Sequence, residues 1–233
     1  MAKSRKNDPV ELLLRRADAA RMLAFFKAVS EYMASAFADA AKIVPAEPGD
    51  SPAVSARGNL RRLRLDRAFR AAAAVVGYPV VTGATSPPSW KYPIVRIGAF
   101  SLTLGIVQRA TSYGPPRLRS RGNYVLDHVA RNEPVNPQSA LFSDKIDVVE
   151  VIPDGALGAF VVAEPSVHLP DSPLYLGFMV PSPNLGRTYF RCSLERLVGL
   201  LQERVAAERT PVRKKVERKQ PKLKKQPKRP SGA

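Results

Sequence analysis

The stretch DVVEVIPDGALGAFVVAEPSVHLPDSPLYLGFMV, residues 147–180, decides the fold. It holds three short runs rich in Val, Leu, Ile and Phe, at 147–152, 159–163 and 174–180. Each has strand length and is bounded by turn residues. Pro153-Asp154-Gly155 lies between the first two runs. Proline presets φ and glycine accepts positive φ, so 147–152 and 159–163 read as a β-hairpin. The third run stops at Pro181-Ser182-Pro183. Upstream, 94–97 and 100–107 are β-like runs split by Gly98-Ala99, and 78–81 is a short strand. The class is α+β, with an antiparallel sheet of about four or five strands drawn from residues 78–180.

Helical patterns flank this region. Asp8-Pro9 with Glu11 resembles a capped helix start. Met22, Phe26, Val29, Met33, Phe37 and Ala40 then recur at spacings of three and four, one apolar stripe of a long helix reaching about Lys42. Residues 45–57 are rich in Pro, Gly and Ser and read as a linker. A second helix is expected over 59–76, capped by Asn59 and stopped by Gly77. A short helix is expected near 124–130. Ser193 caps a last helix whose stripe is Leu194, Leu197, Val198, Leu201 and Val205. The two N-terminal helices either pack on the sheet or form a separate arm. Residues 1–44 are therefore set apart as a helical arm, 58–209 as the α+β domain and 210–233 as a tail.

The tail carries ten Lys or Arg, one Glu and four Pro, with almost no apolar residue. It cannot bury enough surface to offset its ordering entropy, so disorder is expected. The 233-residue chain has 37 Lys+Arg against 20 Asp+Glu, a formal charge of +17, and removing the tail still leaves +8. Such a balance points to polyanionic partners rather than to a fold. Residues 1–6 are charged, but no continuous apolar run follows, so secretion is not expected. No run reaches membrane-spanning length. The single cysteine, Cys192, fits a reducing, cytoplasmic setting and reads as a buried small hydrophobe.

Three basic clusters carry the functional expectation, a nucleic-acid-associated protein that grips the phosphate backbone of DNA or RNA without reading sequence. In the tail, Lys214, Lys215, Lys219, Lys224 and Lys225 are spaced by Pro and Gln, which keeps them available to phosphates. On the second helix Arg57, Arg61 and Arg64 fall close together, either facing phosphates or forming the solvated side of a helix buried through Leu60, Leu63 and Phe69. In the loop 109–124, Arg117, Arg119 and Arg121 alternate with small residues, and Tyr124 adds an aromatic face for a base.

Two alternatives stand beside this. The long N-terminal helix, through Leu14, Met22, Phe26 and Val29, would make a helical interface to a protein partner in a larger complex. A metal-dependent nuclease would need two or three of the carboxylates Asp144, Asp147, Glu150 and Glu164 to converge on Mg²⁺. Asp147 and Glu150, three apart on a strand, point to opposite faces. Catalytic motifs are otherwise absent from the sequence. His128, His168 and Cys192 are widely separated, and no Gly-rich phosphate loop occurs. Neither a metal nor a cofactor is expected.

Overall fold

The computed structural model describes residues 17–45, 47, 50–85, 87, 90–109, 114, 117–119, 123–135, 153–166 and 168–209. Helix α1 (Ala19–Ile43) starts at Asp18, whose carboxylate accepts the Arg21 N–H at 3.0 Å. That cap sets the start of α1 ten residues beyond Asp8, which lies outside the described residues. Helix α2 (Ser51–Val75) is capped by Asp50, which accepts from the Ala53 N–H, with Pro52 in the first turn. The expected linker is thus half helix, and Asn59 sits inside α2 rather than capping it. Proline belongs in a first turn, where no N–H is needed, and the linker reading mistook it for a breaker.

The two helices form an antiparallel hairpin. Arg21 lies over Tyr78 just past the end of α2, Phe25 meets Phe69, and Arg61 lies over Phe37. Arg21 also closes α2: its Nε and Nη2 donate to the carbonyls of Val76 and Gly77 at 2.8 and 2.6 Å. The Val76 carbonyl, at the C-cap, is one that a helix end leaves unpaired. Gly77 turns the chain away at φ 71°.

Among the described residues the sheet has seven strands: β1 (Val80–Ala84), β2 (Lys91–Ile97), β3 (Phe100–Gln108), β4 (Arg117–Leu118), β5 (Leu157–Pro165), β6 (Pro173–Pro181) and β7 (Thr188–Ser193). Their order is β1-β2-β3-β5-β6-β7, with β4 beside the far end of β3. The α+β class holds, with more strands than the four or five expected. The sheet is mixed, because β3 and β5 run parallel, Phe100 opposite Leu157 to Ile106 opposite Ala163. The hairpin expected at 153–155 is replaced. From Phe160 to Ala163 β5 is paired with β3 on one side and β6 on the other, and 147–152 lies outside the described residues. The physical reason is burial. Strands β3 and β5 are almost wholly buried, the pattern of central strands covered on both faces. A parallel pair needs a long crossover, which the stretch between them supplies.

One face of the sheet carries α1, α2 and α4 (Leu194–Arg209). Their side chains share one core with Val95, Phe100, Leu102, Val161 and Phe178. Of the two placements open for the N-terminal helices, the packed one is found, so α1 is no detached arm. Met22, Phe26 and Val29 have no exposed surface at all. The stripe assigned to a protein partner is therefore spent on the chain's own core, and Leu14 lies outside the described residues. Ser193 caps α4 as expected, accepting from the Arg196 N–H, and Leu194, Leu197 and Leu201 are buried. Among the described residues no helix is long and apolar enough to cross a membrane.

The crossover from β3 to β5 covers part of the other face. Helix α3 (Asn123–Val129) and a 3₁₀ turn (Ala130–Val135) lie there, with a smaller core of Val107, Val125, Val129, Phe160, Val162 and Met179. Gly158 allows the close approach. A Cβ there would stand 2.0 Å from the His128 carbonyl oxygen, which is backbone and cannot give way. Among the described residues, the strands not covered by α3 leave this face open at β4, β6 and β7.

Candidate functional site

Strand β4 is the pivot of the open face. Its two residues pair with Val107 and Gln108, and the Arg119 N–H then donates to the Ile106 carbonyl at 2.8 Å. Leu118 points between two clefts and lines both. The first, of about 660 Å³, lies between β4, β6 and β7. Arg117, Arg187 and Arg191 reach it from three different elements, and all three are exposed. Its described lining has no carboxylate, and among the described residues none of the three arginines forms an ion pair. Leu118, Met179, Pro181 and Leu185 make an apolar floor, and Tyr189, half-buried, packs behind it against the main core.

The turn that carries Arg187 is tied down by hydrogen bonds. The Ser182 N–H donates to the Arg187 carbonyl at 2.9 Å, and the Arg187 N–H donates back to Ser182 Oγ at 3.0 Å. Ser182 Oγ donates to Asn184 Oδ1, which also accepts the Gly186 N–H. These bonds fix the turn before any ligand arrives.

The second cleft, of about 600 Å³, lies across β4 and is lined by Arg62, Asn59 and Ser55 of α2, Arg119, and Tyr124 of α3. Tyr124 packs on Tyr92 with centroids 4.8 Å apart, which holds α3 against β2. The structure thus brings together three of the expected residues, Arg117, Arg119 and Tyr124, on either side of β4. Arg121 lies outside the described residues, as do Lys214, Lys215, Lys219, Lys224 and Lys225 with the rest of the tail expected to be disordered.

The α2 cluster is placed otherwise. Arg57 and Arg61 are 7% and 9% exposed, so they form no solvated face, while Leu63 is 49% exposed. Arg61 lays its guanidinium 4.5 Å from the Phe37 ring centroid and donates to the Pro170 carbonyl. Burial first, then Arg57 nearby, push Arg61 below its ordinary value. Arg64 is half-exposed and reaches Asp39 at 3.7 Å. The helical-wheel reading went astray because α1, not the sheet alone, covers α2, and a long Arg can bury its stem against an aromatic ring.

Glu164 is 4% exposed on β5 and takes Arg109 Nε on both oxygens at 3.2 and 3.0 Å. Beside it Tyr175 donates to the Cys192 carbonyl, and burial pushes its hydroxyl up to about 12. His128 is buried edge-on to Phe160, its Nε2 3.2 Å from the Ala159 carbonyl oxygen. His168 is exposed. Burial raises the Cys192 thiol to about 11, in keeping with the inert, buried cysteine expected. Among the described residues no three His, Cys, Asp or Glu come together to hold a metal. Asp144, Asp147 and Glu150 lie outside the described residues.

Sequence reasoning missed Arg187, Tyr189 and Arg191. The spacing carried no clean signal, because Arg187 lies before β7 and a register shift opposite Val180 and Pro181 breaks the period of two at Tyr189, which packs against the main core. The sequence reading assigns no element between Pro183 and the Ser193 cap, so nothing placed these arginines on a strand. Comparisons with protein-family models, curated proteins and solved structures give no match to this chain.

Proposed function

We propose that the protein binds the phosphate backbone of nucleic acid in the cytoplasm, through the open face of its sheet and with its cationic tail as a second contact. The observation that supports this best is the convergence of Arg117, Arg187 and Arg191 on one cleft without a carboxylate among its described lining. Arginine presents a planar fork of donors that fits phosphate oxygens. The formal charge of +17 strengthens the long-range attraction to a polyanion.

The test is a titration of the full chain against duplex DNA and single-stranded RNA over a series of salt concentrations. A triple variant, Arg117→Ala, Arg187→Ala, Arg191→Ala, is run in parallel. Each phosphate contact contributes about 0.7–0.9 to the slope of log K against log salt, so the variant should lose about 2–3 in slope. An unchanged slope would remove the cleft from the interface. No binding by the parent chain at low salt would end the nucleic-acid reading.

A further inference from the structure

We infer that the first cleft receives one unpaired base of a single-stranded nucleic acid, with the neighbouring phosphates held by Arg117, Arg187 and Arg191. This rests on the reading of those arginines as phosphate ligands and goes further by naming the form of the strand. A site for phosphate alone needs only the charged rim. Here the rim surrounds an apolar floor of Leu118, Met179 and Leu185. Water on such a floor is easily displaced by a flat apolar surface, and a nucleobase is the flat surface that comes joined to phosphates. The volume, about 660 Å³, falls within the roughly 300–1,000 Å³ of small-ligand sites.

The backbone supplies a second, independent observation. Leu185 is the one non-glycine with positive φ among the described residues, at 58°. A leucine there is disfavoured, and glycine or asparagine would sit without strain. Leu185 is nevertheless kept, half-buried against the smaller core and lining the cleft. Such strain persists where surrounding structure enforces it, typically at binding sites. The Ser182–Asn184 hydrogen bonds are that enforcement, and they set Arg187 next to the floor. Tyr189, half-buried beside the same lining, packs against the main core and so holds the end of β7 behind the floor. A duplex keeps its bases stacked inside, so it can reach the arginines but not the floor, unless it gives up stacking energy.

The experiment measures fluorescence anisotropy of the full chain with four probes of equal length. They are oligothymidylate, oligouridylate, an abasic deoxyribose-phosphate strand and a DNA duplex. The better of the two base-bearing strands should bind about tenfold or more tightly than the abasic strand and the duplex at matched salt. Leu118→Asn should erase most of that advantage, and Leu118→Met should retain it. Leu185→Gly relieves the strain and so keeps the fold, yet should reduce the advantage about fivefold through loss of floor contact. Equal, salt-sensitive binding of the base-bearing, abasic and duplex probes would overturn the base cleft and leave the phosphate reading standing. Failure of every probe to bind would overturn both.

Discussion

Asn132 lies in the 3₁₀ turn with no exposed surface, and replacing it with Asp tests how the open face is held together. The register of β5 on β6 sets Phe160 opposite Met179, and continued by two residues it would set Gly158 opposite Pro181. Proline has no N–H, so that pair cannot close the ladder. The Asn132 carboxamide fills the gap. Its Nδ2 donates to the Gly158 and Pro181 carbonyls, both at 2.8 Å, and its Oδ1 accepts the Gly158 N–H at 2.7 Å. Asn132→Asp keeps the shape and the third bond but loses both donors. Two buried carbonyls without a partner cost roughly 1–3 kcal/mol each, so the loss is about 4 kcal/mol at pH 7. For a domain of this size that lowers Tm by about 8–16 °C. The introduced carboxyl faces carbonyl oxygens and gains a donor only when protonated, so its folded pKa is raised above the ordinary ~3.9. Its stabilising form is complete below that value and is lost as pH rises through the folded pKa. The deficit relative to the parent chain should therefore grow between pH 4.5 and pH 7. Urea unfolding at both pH values measures it. A deficit under about 1 kcal/mol at pH 7 that does not change with pH would refute this account.

Three further outcomes are expected. Arg109→Ala strands the Glu164 carboxylate, which is 5% exposed, and should cost about 3 kcal/mol at pH 7, whereas Glu164→Gln leaves a neutral group and should cost less. Urea midpoints in the opposite order would contradict that. Burial holds His128 below its ordinary 6.5, against the bond to the Ala159 carbonyl, so the folded chain keeps it neutral where the unfolded chain protonates it. Its stabilising contribution is present above about pH 6.5 and falls as pH drops below that, by at most about 1.4 kcal/mol per pH unit. His128→Gln should flatten the urea midpoint between pH 6.5 and 5.5, and an unaltered slope would count against it. Cys192, raised to about 11 by burial against the pull of Arg196, should resist iodoacetamide at pH 8 in the folded chain and react at once in urea. Rapid alkylation without denaturant would show that the β7–α4 junction opens.

The fold was legible where a local pattern matched its final surroundings. The β2–β3 hairpin at Gly98-Ala99, strands β5 and β6, and the Ser193 cap all follow from neighbours in sequence. The direction of β5 did not. Whether 157–165 pairs forwards or backwards depends on a crossover that no local run encodes, and the Asp154-Gly155 turn suited either outcome. Strand β7 was hidden for another reason. An edge strand with three exposed or half-buried polar positions has no strong apolar alternation to reveal it.

The site was legible only in part, because a count of arginines is not a count of available charges. Arg21 is used to close α2, Arg61 to cover Phe37, and Arg109 to neutralise Glu164. Arg61 read as cationic surface in the sequence, and all three arginines hold the fold together. What separates them from Arg117, Arg119, Arg187 and Arg191 is the neighbour each one meets. The first group faces carbonyls, a ring or a carboxylate brought by another element, and the second faces the open side of the sheet at β4 and β7. Because α1, α2 and α4 share one face and α3 covers only part of the other, the described residues leave bare a patch where no described carboxylate lines the first cleft. The open patch follows from the helix arrangement, and helix arrangement is a long-range property. That is why Arg117 and Arg119 were found from their loop sequence, while Arg187 and Arg191 needed the assembled sheet.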